Sequence, residues 1–234
     1  MPCLRRAGTG AAMTAFPFDI VGFDLDGTLV DTSRDLAASV NHALASAGRA
    51  QLPVPTIITM IGGGARHMLA QALKATGDCD DHELDRLLTI LLDHYEAHVC
   101  VESAPYPGVI TALDELAARG VKLAIATNKL ERLTLALLNR LGLTSRFATI
   151  VGGDTLGAGM TKPSPAPIRA MVERCGGGRA VFVGDSIYDV AAARAADIPA
   201  VVYRGGFTRE GVDRLGADAV LDHFDRLVPT LERL

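Results

Sequence analysis

The sequence predicts an open α/β fold, a parallel sheet with helices on both faces, interrupted early by an inserted all-helical domain. Three observations carry this expectation. From Phe18 onward, short β-branched runs alternate with helical patterns, which is the rhythm of successive βαβ units. The interval 32–104 carries helical periodicity and no strand pattern, and is too long for an ordinary crossover between parallel strands. Polar and acidic residues recur directly after the apolar runs, where open α/β sheets gather their ligands.

Taken in order, the opening MPCLRRAGTGAAMTAFPF has two arginines, no acid before Asp19 and too little apolar content for a secretion signal. Residues 1–17 are expected to be a flexible lead-in, with Met13 as an alternative start. FDIVGFDL reads as a first buried strand, closed by the Asp-Gly turn signal. TSRDLAASVNHALASAG then places Leu36, Val40 and Leu44 at i, i+4 and i+8 and stops at Gly48. DDHELDRLLTILLDHYEAHV carries Leu84, Leu87, Leu88, Leu91, Leu92 and Tyr95 on a broad helical stripe. The insertion is entered near residues 31–33 and left through ESAPYPG, where Pro105 and Pro107 define a linker. Beyond it, VKLAIAT, ATIVGG, RAVFVGD and PAVVYRG read as strands, and ERLTLALLNRLG, APIRAMVERCG and IYDVAAARAAD as the helices between them. Leu227 and Leu231 suit a closing amphipathic helix. The expected division is a core of 18–31 and 105–234 around an insertion of 32–104.

Bulk composition narrows the function classes. A chain of 234 residues, 49% hydrophobic and 21% charged, can bury a sizeable core. Its net charge of −4 leaves no basic footprint for nucleic acid, and no apolar run approaches the roughly 18 residues of a membrane helix. Cys3, Cys79, Cys100 and Cys175 show no paired spacing, so reduced thiols and a cytoplasmic location are expected. The oligomeric state stays open.

The chemistry concentrates at the strand ends. In GFDLDGTLVD, Asp24 and Asp26 flank Leu25, and alternation along a strand would put both on one side. Two anions so placed repel unless a cation lies between them. Thr127 and Asn128 follow the second strand, Asp185 the fourth, Asp189 stands one helical turn on, and Lys162 sits in GMTKPSP before a helix. Clustered carboxylates suggest a hard divalent cation with oxygen ligands, and Mg²⁺ often shares its shell with phosphate. The lysine and the hydroxyl would face the remaining phosphate charge.

DLDGTLV, the strand-end Thr127, Lys162 and GDSIYD occur in this order, and with them the sequence resembles the haloacid dehalogenase superfamily. More narrowly, it resembles the phosphatases of that group that carry a helical cap after the first strand. The likeness runs from about Phe18 to the C-terminus, and TNK and IGGGARHML resemble phosphoglycolate phosphatases in particular. The resemblance implies a Rossmann-like core and an aspartyl-phosphate mechanism with Asp24 as nucleophile. It makes Asp26 the acid that protonates the leaving alkoxide and then the base for water. Mg²⁺ would rest on the Asp24 carboxylate, the Asp26 main-chain carbonyl and Asp185, with Asp189 supporting it and orienting Lys162. Lys162, Thr127 and the Asn128 amide would hold phosphoryl oxygens, while Gly27 turns the chain and Thr28 steadies Asp26. The implied substrate is a small anionic phosphomonoester, with 2-phosphoglycolate first and a sugar-phosphate phosphatase or phosphosugar mutase as the alternative. Asp26 separates the chain from dehalogenases and phosphonate hydrolases, and Gly184-Asp185 stands where the mutases often read Glu-Asp.

In the cap, Gly62, Gly63 and Gly64 would let the backbone approach substrate, and Arg66 offers a fork to a substrate carboxylate. HYEAH spaces His94 and His98 one turn apart but lacks the HExxH arrangement of zinc proteases, so a satisfied helix face is expected there. CGGGR has no following Lys-Ser/Thr and makes no phosphate loop. RGGF at 204–207 either borders the pocket or makes a tight strand exit, and the exit is the preferred reading.

Overall fold

The computed structural model describes residues 16–208 and 211–234, so the lead-in expected at 1–17 lies almost wholly outside the described residues. The chain begins with β1 (Ile20–Phe23) and a short β2 (Val30–Asp31), then four helices, α1 (Ser33–Ser46), α2 (Val54–Ile58), α3 (Ala65–Thr76) and α4 (Asp81–Ala97). It returns through β3 (Ala104–Pro105) to α5 (Val109–Ala118), β4 (Lys122–Ala126), α6 (Glu131–Arg140) and β5 (Thr149–Val151). The second half runs α7 (Ala166–Arg174), β6 (Ala180–Gly184), α8 (Ile187–Ala195), β7 (Ala200–Tyr203), β8 (Ala219–Leu221) and α9 (Leu227–Leu231).

Six of the strands form one sheet in the order β5-β4-β1-β6-β7-β8, every pair parallel. Ile20 pairs with Lys122 on one side and Ala180 on the other. The chain therefore builds outward from β1 in one direction and then in the other, which makes the carboxyl end of β1 the crevice where such sheets bind ligands.

Period-two alternation explains why this strand is apolar throughout. Val21 and Phe23 join a core cluster that also contains α5, α6 and α9 side chains, whereas Ile20 joins the opposite cluster with Phe182, Ile168 of α7 and Val190 of α8. Gly22 has no side chain because Met171 and Phe182 lie against it, where a β-carbon would strike both. β8 and the β2–β3 pair were not anticipated. Each has only two or three residues, too few to show an alternation.

The helical insertion packs through the expected stripes. Leu36, Val40 and Leu44 of α1 meet Leu84, Leu87, Leu91 and Tyr95 of α4, while Leu88 and Leu92 are only half-buried. Asp80 starts α4 by accepting the Glu83 N–H at 2.7 Å. The insertion is fastened where it enters and leaves. β2 and β3 pair antiparallel, with Asp31 opposite Ala104. Buried Asp35 accepts the N–H groups of Val101, Glu102 and Ser103, each at 3.0 Å, and the Ser103 hydroxyl at 2.6 Å. Among the described residues, no helix is long and apolar enough to cross a membrane, and Cys79, Cys100 and Cys175 are free thiols.

Candidate active site

β1 ends at Phe23, so Asp24 and Asp26 stand on the loop beyond it, with Leu25 fully buried between them. Each carboxylate has its own lysine. Lys162 Nζ lies 2.9 Å from Asp24 Oδ1 and 2.6 Å from Asp189 Oδ1. Lys129 Nζ lies 3.1 and 3.0 Å from the two oxygens of Asp26. The repulsion foreseen between the two acids is thus relieved by two ammonium groups.

Local structure holds every member in place. Gly27, at φ +83°, turns the chain where a β-carbon would meet Asp185 Oδ2 and Phe207. Asp189 opens α8, its Oδ2 accepting the Ser186 N–H at 2.9 Å and the Ser186 hydroxyl at 2.6 Å, a capping arrangement that leaves Oδ1 for Lys162. Asp185 accepts the Phe207 N–H at 2.7 Å, so the RGGF loop wraps a carboxylate of the site, which favours the pocket-bordering alternative over a mere strand exit. Thr127 is buried at the end of β4 and its hydroxyl accepts the Lys129 N–H at 3.3 Å.

Two expectations are corrected, those for Thr28 and Arg66, and one, for Asn128, is narrowed. Thr28 does not steady Asp26; its hydroxyl points to Asp185 Oδ1 at 3.4 Å, and Thr32 donates to Asp26 instead, at 2.8 Å. The Asn128 side chain is committed to bracing. Its amide donates to the carbonyls of Gly62 and Lys162 and its oxygen accepts the Lys162 N–H, tying the cap turn to the lysine loop, while the residue lines the cavity. Arg66 turns away from the cavity, to Asp85 and, at 3.5 Å, Asp81. It sits on the outer side of α3, where the first turns of α4 present two acids. Of the cap glycines, Gly62 and Gly64 line the cavity, whereas Gly63 lies against the His67 ring.

Lys129 and Tyr95 were missed. The Lys129 ammonium donates to the Tyr95 hydroxyl at 2.8 Å and lies 4.2 Å from its ring centroid, joining core to cap. Burial works against this charge, but Asp26 and Tyr95 outweigh it and hold the lysine above its usual range. Burial also pushes the Tyr95 hydroxyl up to about 12. His94, meanwhile, stacks between His42 and His98 and bonds Ser39 at 3.0 Å, a satisfied helix face.

The carboxylates Asp24, Asp185 and Asp189 are buried and offer oxygens within 4.8 Å of one another. Against them stands one ammonium, Lys162, whose contact with Asp24 Oδ1 is an ion pair without hydrogen-bond alignment. Burial, with Asp189 and Asp26 adding to it against the pull of Lys162, raises Asp24 from 3.8 to about 6. Burial, Asp189 and Asp24 raise Asp185 well above 3.8. Undercompensated buried oxygens of this kind fit a hard divalent cation. The cavity beside them, about 50 Å³, is bounded by Asp24, Asp26, Thr127 and Lys129 on the core side and by Gly62, Met68 and Tyr95 on the cap side.

Residues 21–203 match the family model of haloacid dehalogenase-like hydrolases. The chain belongs to that family. This hydrolase is 42% identical over 224 residues to a phosphoglycolate phosphatase of Agrobacterium fabrum, covering 94% of this chain and 95% of the relative. It superimposes with a TM-score of 0.83, at 30% identity and covering 93% and 99% of the two chains, on a crystal structure described as a predicted phosphoglycolate phosphatase from Haemophilus somnus. CbbY of Rhodobacter sphaeroides, solved with xylulose-(1,5)-bisphosphate, matches this hydrolase with a TM-score of 0.74 and 25% identity over 90% and 96% of the chains.

Proposed function

We propose that this hydrolase is a Mg²⁺-dependent cytoplasmic phosphatase that converts 2-phosphoglycolate to glycolate and phosphate. The observation that carries the reading is the pair of carboxylates one residue apart at the β1 crevice, each held by its own lysine, with Asp185 beside them. Asp24, the Asp26 main-chain carbonyl and Asp185 would hold Mg²⁺, and Asp189 would support the site. Bound there, the cation offsets carboxylate and phosphoryl charge.

The chain's own groups then divide the work. An Asp24 oxygen attacks phosphorus, the ester P–O bond breaks, and the leaving alkoxide takes a proton from Asp26. Asp26 next removes a proton from water, whose oxygen attacks the aspartyl-phosphate, releasing phosphate and restoring Asp24. Lys162 and Thr127 bear on the phosphoryl oxygens as charge shifts during transfer. Asn128 keeps the Lys162 loop and the cap glycines in register. The cavity is small, about 50 Å³, which supports a short leaving group. The name of the Agrobacterium relative supports the same choice.

Phosphate release from 2-phosphoglycolate, a hexose phosphate and p-nitrophenyl phosphate, with Mg²⁺ and with chelator, tests the reading. Metal-dependent turnover with the highest kcat/KM on 2-phosphoglycolate is expected. A higher value on the hexose phosphate would favour the sugar-phosphate alternative.

A further inference from the structure

We propose that Lys129 is the residue that reads the substrate's carboxylate, so that specificity for a carboxylated leaving group resides in the core loop after β4 rather than in a cap cation. The proposal rests on the phosphoglycolate reading and deepens it.

Lys129 is the one basic side chain among the described residues that bound the cavity. Its side chain is 5% exposed, and its ammonium bridges Asp26 of the core and the Tyr95 hydroxyl of the cap. Arg66, the alternative cation, is occupied by α4 on the far side of its helix.

Bond geometry then limits where a substrate carboxylate can lie. In phosphoglycolate a single methylene separates the ester oxygen from the carboxylate carbon. Asp26 must come within hydrogen-bond distance of that ester oxygen to protonate it. A carboxylate attached one carbon away therefore falls within a few ångströms of whatever rests on Asp26, and Lys129 rests there at 3.0 Å. Leu36, Met68, Leu91 and Leu133 stand among the residues that line the same cavity. Apolar side chains of this kind strengthen a charge contact by excluding water and offer nothing to the hydroxyls of a sugar.

The same contacts would also arise if Lys129 only served Asp26, so the test must separate the two roles. Values of kcat/KM are measured at saturating Mg²⁺ for 2-phosphoglycolate and for 2-hydroxyethyl phosphate, which is one heavy atom smaller and carries a neutral hydroxyl in place of the carboxylate. The wild-type chain is compared with Lys129→Met and with Lys129→Gln, which keeps donors toward Asp26 and Tyr95 and serves if the first variant does not fold. The expected result is a roughly ten- to hundredfold loss on 2-phosphoglycolate, mainly in KM, with a much smaller loss on 2-hydroxyethyl phosphate. Equal losses on both esters would overturn the proposal and leave Lys129 as a support for Asp26. A wild-type preference for 2-phosphoglycolate that survives in the variants would overturn the proposal alone. A wild-type enzyme that does not prefer 2-phosphoglycolate would overturn both the proposal and the substrate reading beneath it.

Discussion

Asp24 and Asp26 carry the same functional group one residue apart, yet their surroundings set them to different tasks. Asp24 meets an ammonium shared with Asp189, while Asp26 meets one shared with a phenol. Asp26 is the least of the influences that raise Asp24, and burial is the greatest. Asp24→Asn should abolish phosphate release, because an amide is a poor nucleophile, while circular dichroism stays that of the folded chain. Asp26→Asn should cost roughly 10²–10⁴ in rate on 2-phosphoglycolate, and less in the first half-reaction on p-nitrophenyl phosphate, whose leaving group needs no proton. Wild-type turnover by Asp24→Asn would rule out covalent transfer. The juxtaposition of Asp24, Lys162, Asp185 and Asp189 was legible in the sequence because Asp24 and Asp185 follow strands, Asp189 lies one helical turn past Asp185 and Lys162 stands in a loop before a helix, all at motif-fixed positions. Lys129 was not, since a lysine just past a strand reads as a solvated charge until Tyr95 of a distant helix is seen to cover it. Thr28 and Thr32 could not be told apart for a similar reason, as both lie within reach of Asp26 until the turn at Gly27 is known.

Among the elements, α1 and α4 were read from their stripes and β5 from its apolar run, whereas α3 and α5 were not singled out although they have 12 and 10 residues. The stripes of α1 and α4 gave their buried faces, whereas β2, β3 and β8 owe their existence to partners far away in sequence. Arg66 shows the limit of reading a helix alone. Its position beside the glycine turn suggested substrate, but the packing of α3 against α4 placed Asp81 and Asp85 in front of it. Asp35 was read only as part of a helical run, although it fixes the returning linker through four donors. Asp35→Ala would leave these donors without their acceptor and should lower stability by about 3 kcal/mol, read from the midpoint of urea unfolding. A shift worth under about 1 kcal/mol would show the linker to be held by the β2–β3 pair and apolar packing instead.

For the whole molecule, the buried carboxylates make stability, pH and metal interdependent. Asp24 titrates near 6 in the folded chain against 3.8 ordinarily, and Asp185 is displaced in the same direction. Between about pH 4 and pH 6 the metal-free folded state holds a proton at Asp24 that the unfolded state releases, so this site lowers stability as pH rises through that window. Asp24→Asn has no such proton to lose. In chelator its melting temperature should therefore gain on the wild type from pH 4 to pH 7, and Mg²⁺ should raise the wild type more than the variant at pH 7. A difference that stays constant with pH would contradict the buried, undercompensated carboxylate. The fastening of the insertion has a mechanical consequence. Because its incoming and outgoing segments are tied side by side, a swing of the helical unit about that tie would leave Thr32 on Asp26 and the Asp35 linker contacts undisturbed. The contacts that would part include Asn128 to Gly62, Arg132 to Glu96 and Lys129 to Tyr95, so an opening would strip the lysine of its phenol and hand it, still seated on Asp26, to whatever anion enters next.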